Sequence, residues 1–179
     1  GTGNAQSALD TTAGGDIWDN GFTYGEGRAT AYAAVNASTA ANNKTVNWSL
    51  PSFVDGVAMA VSYTAGHTAT ESTAAFGITY TGIEGLTASY GSGEDGAIGA
   101  KADVTAMSAS YAMGSFTAAV SQLESDSVSG SDEEMTSFKL SYTVTDDLSV
   151  SYGEETHETA GSSVDEEFEA ISVSYTTGG

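Results

Sequence analysis

Large apolar residues alternate with small or polar ones along most of this chain, and the alternation repeatedly closes on tyrosine. The refrain reads GVAMAVSY at 56–63, AFGITY at 75–80, LTASY at 86–90 and MSASY at 107–111, then FKLSY at 138–142, LSVSY at 148–152 and ISVSY at 171–175. A period of two is that of a β-strand, whose successive side chains point to opposite faces. The pattern predicts strands over about 44–50, 56–64, 73–81, 85–91, 103–112, 115–122, 134–143, 147–153 and 167–176, an all-β antiparallel meander. Residues 1–43 break the rhythm. They are rich in Gly, Ala, Thr and Asn and include GGDIWDNGFTYGEGR at 14–28, read as loop with a short helical or extended piece.

The connections alternate in length. PSFVD, TGIEG, AMGS and TVTDD are short, whereas TAGHTATEST, GSGEDGAIGAKAD, ESDSVSGSDEE and GEETHETAGSSVDEE are long and polar. In a meander this places all short turns at one end of the sheet and all long loops at the other. Outer-membrane barrels have that asymmetry, with strands of about ten residues. The acids are expected in or at the edge of the long loops: Glu124, Asp126, Asp132, Glu133 and Glu134 in one, and Glu154, Glu155, Glu158, Asp165, Glu166 and Glu167 in the next.

The two faces support a membrane reading. One carries Met59, Phe76, Met107, Phe138, Leu140 and Ile171 with most of the tyrosines; the other carries Ala60, Gly77, Ser108, Ser110, Ser141 and Ser172. A soluble sheet buries its apolar face and puts charge on the other. Here the second face reads as small, mildly polar and almost uncharged, which suits a water-filled lumen behind a lipid-facing wall. Tyrosine at the strand ends matches an interfacial aromatic belt, apolar ring below and wet hydroxyl above.

Composition narrows the partners. Four Lys and Arg stand against 24 Asp and Glu, a formal charge of −20, so a phosphate backbone is excluded as a ligand and cations are favoured. With no cysteine, neither disulfides nor thiolate chemistry is available. No G-x-S-x-G elbow and no spaced Ser/His/acid set is present, so no enzyme is expected. No hydrophobic run is long enough for a transmembrane helix.

The segment 42–63, NNKTVNWSLPSFVDGVAMAVSY, resembles the general diffusion porins of Gram-negative bacteria, the alphaproteobacterial type in particular. Asn42, Asn43, Val46, Trp48, Pro51, Phe53, Gly56, Val61 and Tyr63 carry the match, and Leu50 departs from it where the family often has serine. The resemblance implies a transmembrane barrel of about sixteen strands, of which this chain supplies about nine as an internal piece. It implies passive diffusion of ions and small hydrophilic solutes through the outer membrane, contact with outer-membrane lipids, a homotrimer and no cofactor. It also implies that residues 1–43 form the loop that folds inward and narrows the pore. Asp16, Asp19 and Glu26 would be its acidic lining, with Arg28, Lys44 and the lumen-facing Lys139 as the basic counterparts, giving a cation-preferring channel.

Other candidates are weaker. Gly93–Gly96 and the acids Asp126, Asp132 and Glu133 with Ser129 offer oxygens for Ca²⁺, but neither run has the spacing of a calcium loop. His67 and His157 fall in different long loops, and Lys101 is read as a loop lysine. The alternative to a channel is a secreted soluble β-rich adhesin or surface-layer module, which requires a closed core and a charged outer face.

Overall fold

The computed structural model describes residues 45–66, 71–95, 102–128 and 132–176. They form nine strands: β1 (Thr45–Ser49), β2 (Val57–Thr64), β3 (Thr73–Tyr80), β4 (Leu86–Asp95), β5 (Ala102–Met113), β6 (Phe116–Ser127), β7 (Glu133–Thr145), β8 (Leu148–Thr159) and β9 (Glu166–Tyr175). Every strand pairs antiparallel with its neighbour in sequence, so among the described residues one sheet runs in order from β1 to β9. The meander expected from the tyrosine refrain is therefore present strand for strand.

Strand lengths differ from expectation in one systematic way. β4, β6, β7 and β8 run on into stretches read as acidic loops: β6 continues to Ser127 rather than 122, and β8 to Thr159 rather than 153. Glu124, Asp126, Glu133, Glu134, Glu154, Glu155, Glu158, Glu166 and Glu167 are strand residues, and so is His157. The reason is that the ladder is made by backbone N–H and C=O groups. It does not require apolar side chains, so it extends past the point where the apolar pattern fades. Three of the four stretches between strands at that end are shorter than expected, and the one between Thr64 and Thr73 is as expected. β5 to β8 have 12 or 13 residues, more than the roughly 9–11 that a tilted strand needs to cross a bilayer.

At the opposite end the connections are tight. Gly114–Ser115 and Asp146–Asp147 join β5 to β6 and β7 to β8. The other two turns share one construction, Val54-Asp55-Gly56-Val57 and Ile83-Glu84-Gly85-Leu86. The Val57 amide donates to the Val54 carbonyl at 3.1 Å and the Leu86 amide to the Ile83 carbonyl at 3.0 Å. Each glycine is left-handed, with φ of 76° and 79°, a conformation that costs a residue with a Cβ. Each glycine carbonyl then accepts from the neighbouring hairpin, Gly56 from the Thr81 amide at 2.7 Å and Gly85 from the Ala112 amide at 2.8 Å. A Cβ on Gly85 would lie 2.3 Å from the Ala112 carbonyl oxygen that borders this junction.

Gly85→Ala is therefore expected to destabilise the sheet by about 1–3 kcal/mol, from left-handed strain plus backbone overlap. Gly161→Ala should cost less, because Gly161 shares the positive φ but has nothing within 4 Å of the added carbon. Urea midpoints of the protein refolded in detergent micelles compare the two; equal losses would contradict this account of the turn.

Candidate functional site: two faces and their charges

Because side chains alternate, the register divides the sheet into two faces. Val61, Phe76, Ile78, Tyr90 and Met107 share one face, linked by the pairs Val61↔Phe76, Ile78↔Tyr90 and Tyr90↔Met107. The same face continues through Val120↔Phe138, Leu140↔Tyr152 and Tyr152↔Ile171. Most of these side chains are open to the surroundings, Ile171 and Val173 at 75% and 64% exposed, while Val61, Ile78 and Tyr152 are half-buried. Aromatic contacts tie neighbouring strands on it, Phe116 with Tyr142 at 4.7 Å and Phe76 with Tyr90 at 5.7 Å between ring centroids.

All the buried strand side chains lie on the other face. Ala75, Val104, Ala106, Leu123, Ser62, Ser121 and Ser137 are buried there. A row of hydroxyls crosses it: Thr79 opposite Ser89, Ser89 opposite Ser108, Ser108 opposite Ser121, and Ser121 opposite Ser137. Ser121 and Ser137 hydrogen-bond at 2.6 Å, and Thr79 and Ser89 at 3.2 Å. Pairing hydroxyls across strands satisfies them without water.

Along the strands the two faces exchange polarity. Toward the turn end the exposed face is apolar and the other face small and hydroxyl-rich. Toward the loop end the phase inverts. Val104, Ala106, Leu123 and Met135 form an apolar cluster on the small-residue face, while acids occupy the exposed one. There Glu124 stands opposite Glu134, and Glu134 opposite Glu158. Asp103 faces Asp126, and Glu154 faces Glu169. Like charges directly opposite are unfavourable. Gln122 offsets part of this by donating its side-chain amide to Glu124 at 2.8 Å and to Glu134 at 2.6 Å. At the boundary the Tyr152 hydroxyl donates to Glu154.

A smaller charged set lies on the small-residue face, gathered on β7, β8 and β9. His157 is opposite Met135 on one side and Glu166 on the other. It is 6% exposed, with its Nε2 3.8 Å from Glu133 Oε2. Glu155 lies two residues along β8, opposite Ser137 and Phe168. Lys139 lies opposite Ala119 and Gly153 on this face, where the alternation placed it. The expectation of an almost uncharged second face is thus corrected at its loop end, because the strands extend through the acidic stretches. The placement of His157 in a long loop is corrected for the same reason. The remaining expected site residues, Asp16, Asp19, Glu26, Arg28 and Lys44, lie outside the described residues, as do His67 and Lys101. Among the described residues no group of three or more His, Asp or Glu is arranged to hold a metal ion.

No family model and no curated protein matches this chain. Solved structures do. A Salmonella typhi OmpF chain, determined in complex with daunomycin, superposes with a TM-score of 0.63 at 11% identity, covering 75% of this chain and 50% of that one. An anion-selective porin from Comamonas acidovorans superposes with a TM-score of 0.57 at 18% identity, covering 72% of this chain and 43% of that one. This chain thus spans half or less of the length of the porins it matches. At such identities the likeness is one of fold: the nine-stranded antiparallel sheet resembles part of a porin β-barrel.

Proposed function

We propose that this chain forms part of the wall of an outer-membrane diffusion channel for ions and small hydrophilic solutes in a Gram-negative bacterium. The observation that carries this reading is the exchange of polarity along the strands. A sheet in water has no reason to expose Met107, Phe138, Leu140 and Ile171 on one face while burying Ser121 and Ser137 on the other. A sheet crossing a bilayer does, because lipid replaces water on the apolar face and the other face turns toward a lumen. Above the lipid the ordinary rule returns, with Val104 and Leu123 inside and Glu124, Glu134 and Glu158 outside. The reversal marks the level at which the wall leaves the hydrocarbon. A secreted soluble adhesin would carry the loop-end arrangement along its whole length.

Transport on this reading is passive. Solutes larger than the lumen are excluded by its width, and charge on the inner face biases which ions pass. The hydroxyl row from Thr79 to Ser137, with Thr79 paired to Ser89 and Ser121 to Ser137, leaves few strong binding groups on that face, which lets polar solutes move on. The finer parts of the proposal rest on the resemblance at 42–63: an alphaproteobacterial-type porin, a larger barrel to which this sheet belongs, a trimer, and a constriction built by residues 1–43. In it, Asp16, Asp19 and Glu26 would attract cations, with Arg28, Lys44 and Lys139 tempering them.

Two experiments test this. The full-length protein in planar bilayers should give stable, large conductance steps, with a reversal potential favouring cations in a salt gradient; protein that stays soluble without detergent and gives no steps would refute it. Placing an arginine at Val120, on the apolar face, should cost about 2–4 kcal/mol of folding into lipid vesicles, the depth-dependent penalty for a lipid-facing charge. The same substitution at Ser108, on the opposite face, should leave folding nearly unchanged, and equal costs would contradict the assignment of the faces.

A further inference from the structure

The net charge of −20 suggests a channel whose walls are lined with acid. The register divides that charge unevenly. Most described strand carboxylates, among them the row Glu124, Glu134 and Glu158 and the pair Glu154 and Glu169, share the face that carries the exposed apolar residues lower down. On a channel wall that face points away from the lumen. The sheet stands between these acids and a permeating ion, and water and salt at the outer surface screen them within about 8–10 Å.

Fewer carboxylates share the lumen side, and apart from Asp95 on β4, opposite Ala102, they lie together. Glu133, Glu155 and Glu166 come from three adjacent strands and share the small-residue face with His157 and Lys139. Glu166 and His157 are directly opposite, and Glu133 lies 3.8 Å from the His157 ring. Lys139 on β7 is the diagonal neighbour of Glu155, within the reach of long side chains. Three carboxylates against one lysine leave this patch negative. All three are half-buried on a face whose other described strand residues are mainly small, hydroxyl-bearing or apolar, so their field is the main fixed charge that this part of the wall presents to the lumen.

We infer that Glu133, Glu155 and Glu166 are the wall residues that set ion preference, and that the larger outward row of acids contributes little to it. This rests on the channel reading above and adds which residues of the described sheet act on the permeating ion.

The test compares two matched triple variants by reversal potential in planar bilayers under a potassium chloride gradient. E133Q/E155Q/E166Q should lower the potassium-to-chloride permeability ratio by about twofold, as expected when fixed lumen charge is removed. E124Q/E134Q/E158Q removes the same number of charges from the opposite face and should leave the ratio unchanged. A second measurement acts on channels already folded. The chain has no cysteine, so Glu166→Cys and Glu158→Cys each provide a single thiol. A cationic thiol reagent added to an open channel should shift the reversal potential toward chloride for Glu166→Cys and not for Glu158→Cys. Equal shifts for the two faces, or a shift only for the outward set, would overturn the inference while leaving the channel intact. Absence of conductance steps in the unsubstituted protein would overturn the channel reading and this inference with it.

Discussion

The constraint on which the structure depends is a single antiparallel backbone ladder. The main strand-to-strand contacts join consecutive strands, and among the described residues the sheet is one layer. The buried apolar cluster is correspondingly small: Val104, Ala106 and Leu123 with Met135 against them. Stability must therefore come from paired amides and carbonyls, and side chains serve chiefly to decide which way the sheet faces. Pairing by backbone makes strand parity decisive, since a slip of one residue would turn every side chain to the opposite face. The left-handed glycines at 56 and 85 hold two of the hairpins in register, and the hydroxyl pairs Thr79–Ser89 and Ser121–Ser137 do the same across strands.

That same dependence explains what could be read from the residues and what could not. The tyrosine-closed runs at 56–63, 107–111 and 171–175 show strand, order and face directly, because apolar side chains at period two mark one face of the sheet. The upper halves of the strands were hidden. In the run Gln122-Leu123-Glu124 the apolar residue falls on the opposite parity from Val120, so the pattern looks as though it ends. It has in fact changed phase, and the backbone continues pairing to Ser127. Met135 between Glu134 and Thr136, and Phe168 between Glu167 and Glu169, carry the same signal of an apolar side chain flanked by polar ones at period two.

The electrostatic picture was altered by that phase change more than the fold was. Read as loops, the stretches around Glu124, Glu134, Glu154 and Glu167 form diffuse acidic clouds at one end of the sheet. Read as strands, they divide by parity, with most carboxylates outward and Glu133, Glu155 and Glu166 inward beside His157. Lys139 was placed correctly because it lies within a clear alternating run between Phe138 and Leu140. The acids were not, because a run of charged residues gives no apolar neighbour from which to count parity, and only the cross-strand register supplies it.

The central claim is that one face of this sheet meets lipid and the other meets water at the same depth, and a chain without cysteine allows that to be measured residue by residue. Single cysteines would be placed along the turn-end part of two strands, at 107 to 110 on β5 and 117 to 120 on β6, and probed in lipid vesicles with a membrane-impermeant thiol reagent. The account predicts strict alternation: labelling at 108, 110, 117 and 119, and protection at 107, 109, 118 and 120. Labelling of both parities, or protection with the opposite phase, would contradict it.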